Sequence, residues 1–345
     1  MIITANLFLT KNIKEEDVVK YAGDIATYIT HVDKLIIFNM FKNKNKEDMG
    51  ISKFFEYIAR YKNIEVATCD NLGEVYNYKR AMLQAEKDNA DYTVILEQDY
   101  FYDDDAFLIL KRKLLEWDKD TLPCVLSPYP KYTCELFNPS TEEMREVKGV
   151  HLLGAFINVK DYLESNGFDE IYYQTGFDYD YCITSRINHK HIYVMNNAIL
   201  RNRNYKILTK KIFTIELSTY EKDAYFLYYE TRNRYYLWEK FKNLDPEYVK
   251  IDQKLFKAEK KEMTLCDKMS LYKKDIMEKA RKDAEKIKRI HDVVTSTNYA
   301  SMTPGIFNSQ MLLADDSPSS RPTLLIQMSN QRISTIKAHI KRKRG

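Results

Sequence analysis

Short apolar runs and amphipathic stretches alternate through the first 120 residues. Residues 2–9 are apolar enough for a buried strand, and residues 15–29 set Val18, Val19, Ala22, Ile25, Ala26 and Ile29 on one helical face. KLIIF (34–38) and NIEVAT (63–68) are β-rich runs on either side of a helix-like segment at 51–61. Residues 74–88 read as a helix, YTVIL (92–96) as a buried strand, and 104–116 as a helix capped by Asp103, Asp104 and Asp105. Four strands alternating with helices predict an open, largely parallel α/β sheet. Further on, 122–148 is irregular and contains prolines, 152–159 reads as a strand, 161–166 as a short helix and 178–188 as a longer one. We take residues 1–215 as a first domain. Residues 216–294 follow as a helical region, aromatic at 221–241 and Lys/Glu-rich at 248–294. Residues 295–345 mix Ser, Pro, Gln and Asn and end in Lys341, Arg342, Lys343 and Arg344; this tail is expected to be disordered or to order only on binding.

Composition narrows the class. With 44% apolar and 30% charged residues but only 9 Gly and 8 Pro in 345, the chain is neither fibrous nor wholly disordered. No apolar run is long enough for a membrane-spanning helix, and residues 1–10 lack the basic start of a secretion signal. Cys69, Cys124, Cys134, Cys182 and Cys266 are odd in number and form no CxxC pair, so they read as reduced cytosolic thiols. The net charge of +4 conceals a division: residues 251–345 carry 20 basic and 11 acidic residues, +9, which leaves −5 for residues 1–250. The basic end reads either as a solvated helical face or as a surface for anionic lipid or nucleic acid.

In an open α/β sheet, ligands sit beyond the carboxyl ends of the strands. YTVIL runs straight into Glu97, Gln98 and Asp99, oxygen donors suited to a hard cation holding a diphosphate, although acidic residues there also cap helices. Gly176-Phe177-Asp178-Tyr179-Asp180-Tyr181-Cys182 follows Gly167-Phe168-Asp169-Glu170. Asp178 reads equally as a base for a hydroxyl nucleophile or as a helix N-cap. Arg232, in the run from Tyr228 to Arg234, has the fork to grip phosphate, but the run alone reads as a surface helix. His189 and His191 fall in a turn, and His31, His151, His291 and His339 are scattered; there is no HExxH, serine elbow or P-loop. Tyr225, Tyr228, Tyr229, Tyr235, Tyr236 and Trp238 are dense enough for a sugar-stacking or membrane-interface surface.

Together these segments resemble family 2 glycosyltransferases of the GT-A fold, in particular the rhamnosyltransferase-like branch. The resemblance covers residues 1–240 and rests on Asn71-Leu72-Gly73, Glu97-Gln98-Asp99, Leu153-Gly154-Ala155-Phe156, the GFDE element 167–170, Asp178 to Cys182, and Arg232-Asn233, in that order. It implies an α/β nucleotide-diphospho-sugar transferase fold, a mixed Rossmann-like sheet flanked by helices, with a helical C-terminal extension. It also implies inverting transfer of a sugar from a UDP- or dTDP-linked donor to a glycan or lipid-linked acceptor. Asp99, supported by Glu97, would hold Mg²⁺ or Mn²⁺, Asp178 would be the base, and Asp180 and Gly154 would be acceptor-binding or supporting. Thr4, Asn6 and Asn39 would lie near base and ribose, Asn71, Gly73 and Arg80 near the donor sugar, with Gln98 and Arg232 also on the donor.

The chain departs from the pattern at three positions: Glu97 where Asp is usual, Phe38 where Asp precedes Asn39, and Arg201 where a His often follows the last core strand. The last leaves either fewer protein ligands for the ion or a phosphate contact through Arg201. The expected protein is cytoplasmic and peripheral on the inner membrane face, attracted to anionic lipid by Lys254, Lys257, Lys260, Lys261, Lys273, Lys274, Arg281, Lys282 and Lys288. The alternative is a glycosyltransferase-like protein that binds sugar nucleotides without turnover. No nucleic-acid partner is expected, because the body is acidic although the tail ends in a basic arm.

Overall fold

The computed structural model describes residues 1–41, 49–130, 142–203, 206–212 and 215–296. The chain runs β1 (Ile3–Leu9), α1 (Val18–Ala26), β2 (Lys34–Asn39), α2 (Met49–Ile58), β3 (Ile64–Thr68), α3 (Glu74–Lys87), β4 (Tyr92–Glu97), β5 (Tyr100–Tyr102), α4 (Ala106–Glu116) and β6 (Val125–Pro130). It continues through β7 (Met144–Glu146), β8 (Phe156–Asn158), α5 (Val159–Glu164), α6 (Phe177–Ile187), β9 (Ile192–Asn202), β10 (Ile207–Ile212), β11 (Ile215–Tyr220), α7 (Ala224–Phe241), α8 (Pro246–Cys266) and α9 (Ser270–Ser296). Residues 1–290 form one compact unit; of the second, 291–345, only the end of α9 is described. The expectations for residues 297–345, the basic arm included, and for Cys134 lie outside the described residues.

The main sheet has the order β3-β2-β1-β4-β8-β6-β9-β5, with β7 added on β9. β1 to β4 are mutually parallel, and β8 lies antiparallel between β4 and β6. This is the mixed α/β sheet flanked by helices, with helices at the C-terminal end, that the sequence implies. A parallel strand covered on both faces must be apolar on both, and every residue of β1 is buried. Ile3, Ala5, Leu7 and Leu9 pack with Ile25, Phe54 and Phe107 on one face, while Phe8, Ile36 and Phe38 pack with Val75, Tyr78 and Phe177 on the other.

Four expectations are corrected. Val19 is exposed, since the buried stripe of α1 is Val18, Ala22 and Ile25. The stretch 122–148 is not simply irregular: it holds β6 and β7, and a register shift between Pro128 and Tyr129 accommodates prolines that cannot donate to a ladder. The strand expected at 152–159 shrinks to 156–158, because Gly154 turns the chain at φ +70° and Asn158 caps α5 by accepting from the amide of Asp161. Asp105 makes no side-chain cap on α4; Asp103 instead pairs with Arg201.

Candidate active site

The carboxyl ends of β1 and β4 lie side by side, so the loop after β1 and the residues after YTVIL meet. Gln98 accepts the Lys11 amide at 3.0 Å and donates its own amide to Phe8, which fixes the turn that presents Asp99. Asp99 is largely buried, with Oδ2 2.8 Å from Lys11 Nζ and Oδ1 taking the Tyr21 hydroxyl at 2.9 Å. Burial, then the Asp99 charge, pushes the Tyr21 hydroxyl up to about 12. Glu97 lies beside them; burial first and Asp99 second raise its carboxyl to about 7, with Lys11 opposing.

A second group of side chains adjoins the first. Glu74 opens α3, directly after Gly73, and accepts the Thr175 amide at 2.9 Å. Burial and then Glu97 push its carboxyl up to about 8, with Asp178 adding and His151 opposing. Asp178 sits in the first turn of α6, where Oδ1 accepts the amides of Gly176 at 3.0 Å and Tyr179 at 2.9 Å. Its Oδ2 lies 2.6 Å from His151 Nδ1. Two hydrogen-bonded pairs, Lys11–Asp99 and His151–Asp178, are thus linked electrostatically through Glu97 and Glu74, whose raised carboxyls hold protons more readily than free ones.

The remaining sequence-chosen residues divide by environment. Thr4 and Asn6 are fully buried and hydrogen-bonded to Thr93 Oγ1 at 2.9 and 2.8 Å, well before the end of β1. Both pair with Thr93 inside the sheet, while Asn6 Oδ1 is buried without a hydrogen bond among the described residues. Asn39 stands at the end of β2 and accepts the Phe41 amide. Phe38, where an acidic residue was expected, stacks on Phe8 at 5.0 Å, and the Arg80 guanidinium lies 5.9 Å from its ring. Arg80 also donates to the Asp70 carbonyl. Asn71 Oδ1 takes the amide of Gly73 and Nδ2 of Asn77, both at 3.1 Å, shaping the turn into α3. Gly154, buried under Leu200, accepts the Tyr102 hydroxyl at 2.5 Å and packs as part of the core.

Arg232 and Asn233 act on a loop. Arg232 donates to the carbonyls of Ile171 and Tyr172 at 2.8 and 3.0 Å, and Asn233 Nδ2 reaches those of Tyr172, Gln174 and Thr175. The pair clamps the segment that leads into Asp178, so Arg232 is engaged with backbone carbonyls in this structure. Asp180 is likewise bound internally, to Tyr172 at 2.5 Å and Lys240 at 2.6 Å. Arg201 pairs with Asp103. Sequence reasoning missed three members: Lys11, Glu74 and His151. His151 precedes the small-residue strand by only a few positions, and its pairing with Asp178 is invisible until β8 and α6 are assembled.

Glu97 and Asp99 do not fit a divalent ion as they are arranged. Both Asp99 oxygens are taken, one by an ammonium, and among the described residues no three His, Cys, Asp or Glu converge on a point. On the helical extension, Lys254, Lys257, Lys260 and Lys261 are exposed along α8, whereas Lys273 is buried against Asp267 and Arg281 pairs with Glu278 and Glu285. Lys273 is therefore withdrawn from any lipid-facing set; the side chain of Lys288 is outside the described residues. No described helix is long and apolar enough to cross a membrane.

No protein-family model and no curated protein matches the chain. Among solved structures it is similar to S. aureus TarS residues 1–349, at 11% identity and TM-score 0.42, over 80% of this chain and 69% of that one. It is also similar to GalNAc-T7 solved with UDP, GalNAc and Mn²⁺, at 10% identity and TM-score 0.48, over 83% of this chain and 55% of that one.

Proposed function

We propose that the protein is a glycosyltransferase that moves a sugar, with inversion, from a nucleoside-diphosphate donor to a hydroxyl of a glycan or lipid-linked acceptor. The observation that carries this reading is the pair of groups beyond the ends of β1 and β4, an exposed lysine held on Asp99 and a His–Asp pair, linked through Glu97 and Glu74. Lys11 is a counter-charge for a departing diphosphate, and the His151–Asp178 pair is a proton acceptor for the incoming hydroxyl. A single displacement needs only those two services, because the diphosphate leaves as an anion without a proton. The order and spacing of the sequence motifs support the same reading, as does the position of the site beyond the carboxyl ends of parallel strands. Lys11, which holds Asp99, supplies the positive charge at this position. We take residues 1–215 as the catalytic part, with the exposed lysines of α8 as the contact to an anionic membrane surface.

The second reading, nucleotide-sugar binding without turnover, draws on the saturation of Asp99 and Arg232 by protein partners. The deciding experiment follows release of nucleoside diphosphate from a panel of UDP-, dTDP- and GDP-sugars, with and without Mn²⁺. Release from one donor, lost in Asp178→Asn, supports transfer. Binding of the nucleotide without release under every condition favours the second reading.

A further inference from the structure

We propose that the atom facing the acceptor hydroxyl is Nε2 of His151, and that Asp178, the carboxylate expected to be the base, positions His151 instead. The inference rests on the transferase reading and deepens it. The Asp178 side chain is 6% exposed, and its oxygens are spent on two backbone amides and on His151 Nδ1. Three of the roughly four acceptor positions of this carboxylate are thus occupied, and its enclosure keeps the remaining one from solvent, whereas the imidazole edge is open. The His151 side chain is 35% exposed, its ring is held edge-to-face against Tyr179 at 5.1 Å, and Nε2 has no hydrogen bond among the described residues.

The tautomer follows from the partner. An acceptor-only carboxylate at Nδ1 keeps the proton of the neutral ring there, which leaves the free electron pair on Nε2. The acidic groups around the ring are Asp178 from α6, Glu74 from α3 and Glu230 from α7, of which Asp178 contributes most. Burial lowers the affinity of the imidazole for a proton, but these carboxylates outweigh it and the pKa is raised. In the transfer, the acceptor proton goes to Nε2 while its oxygen forms the bond to the anomeric carbon. The bond from that carbon to the diphosphate oxygen breaks, and its electron pair leaves with the diphosphate. The imidazolium that results faces Asp178, which balances its charge.

The test compares the parent with His151→Gln and Asp178→Asn, using the donor that the panel identifies. His151→Gln is expected to lose at least about 100-fold in kcat while donor KM is kept. The parent kcat/KM is expected to fall on the acid side, and that limb should vanish in His151→Gln. The carboxamide introduced by Asp178→Asn would present an N–H to Nδ1, forcing the proton to Nε2 and abolishing the acceptor there. Nuclear magnetic resonance of ring-labelled histidine gives a readout that needs no substrate: His151 should titrate at lower pH in Asp178→Asn than in the parent. Turnover of His151→Gln at the parent rate with the acid limb intact would overturn the assignment and leave the transferase reading standing. An unchanged His151 titration in Asp178→Asn would also overturn it. A parent that neither binds nor hydrolyses any nucleotide sugar instead overturns the transferase reading, and this assignment with it.

Discussion

Asn233 Nδ2, on α7, lies 2.6 Å from the carbonyl oxygen of Thr175, three residues before Asp178. The same amide reaches Tyr172 and Gln174, so one buried side chain satisfies the carbonyls of a loop that has no ladder of its own. Removing it strands those acceptors. Asn233→Ala is expected to cost about 1–3 kcal/mol in chemical denaturation and to lower turnover. Arg232→Met should behave similarly, with lost stability and little change in nucleotide affinity. A normal midpoint with greatly weakened nucleotide binding would restore Arg232 as a phosphate ligand.

Gly73 stands at φ +104° at the start of α3, and a Cβ there would lie 2.6 Å from the Tyr173 ring. Gly73→Ala should therefore destabilise by about 1–3 kcal/mol and displace Glu74. Gly23, on the exposed side of α1 with nothing within 4 Å of an added Cβ, is the control: Gly23→Ala should stabilise by about 0.5–1 kcal/mol. Thermal melts of both variants separate a conformational requirement from a general effect of added bulk.

Much of the fold can be read from the chain because its signal is local. β1 to β4 are apolar runs bounded by polar turns, and the helices between them keep their apolar stripes, so both kinds of element were placed within a few residues. β6 was hidden by Pro128 and Pro130, and the break between α8 and α9 by an uninterrupted Lys/Glu pattern that the Asp267–Lys273 pair interrupts in space. For the site, Glu97, Asp99 and Asp178 carry a sequence signal because they lie at or just beyond the end of β4 or in the first turn of α6. His151, Lys11 and Glu74 carried none, as their roles arise from neighbours 27, 88 and 101 positions away. Thr4 and Asn6 show the opposite case: polar residues in a strand carry a signal in the sequence, while their pairing with Thr93, 89 and 87 positions away, does not.

Glu74 gives a pH prediction with a definite sign. Its carboxyl is raised to about 8 in the folded chain, chiefly by burial and by Glu97, from an ordinary value of 4.5. Between those values the folded state binds a proton that the unfolded state has released, so stability falls as pH rises from about 4.5 to about 8. Glu74→Gln keeps an oxygen for the Thr175 amide and removes the titration. Urea midpoints should show a flatter pH dependence in the variant and a gain over the parent at pH 8. Parallel curves for the two proteins would refute the shift.

Lys11 is 62% exposed yet neutralises Asp99 at the point where a cation was expected. Lys11→Met should weaken binding of a nucleoside diphosphate in the absence of metal. It should also raise the affinity for Mn²⁺ alone by roughly fivefold, the equivalent of about 1 kcal/mol for an exposed ion pair. Calorimetric titration of Mn²⁺ into parent and variant checks this, and equal affinities would contradict the view that the lysine and the ion compete.

The most direct test of the account is release of nucleoside diphosphate from UDP- and dTDP-sugars by the full chain, measured in buffer with EDTA and again with Mn²⁺. The account predicts release from one donor that persists in EDTA, rises when an acceptor sugar is added, and is lost in both Lys11→Met and Asp178→Asn. No release from any donor, together with no calorimetric binding of UDP, dTDP or GDP, would contradict it.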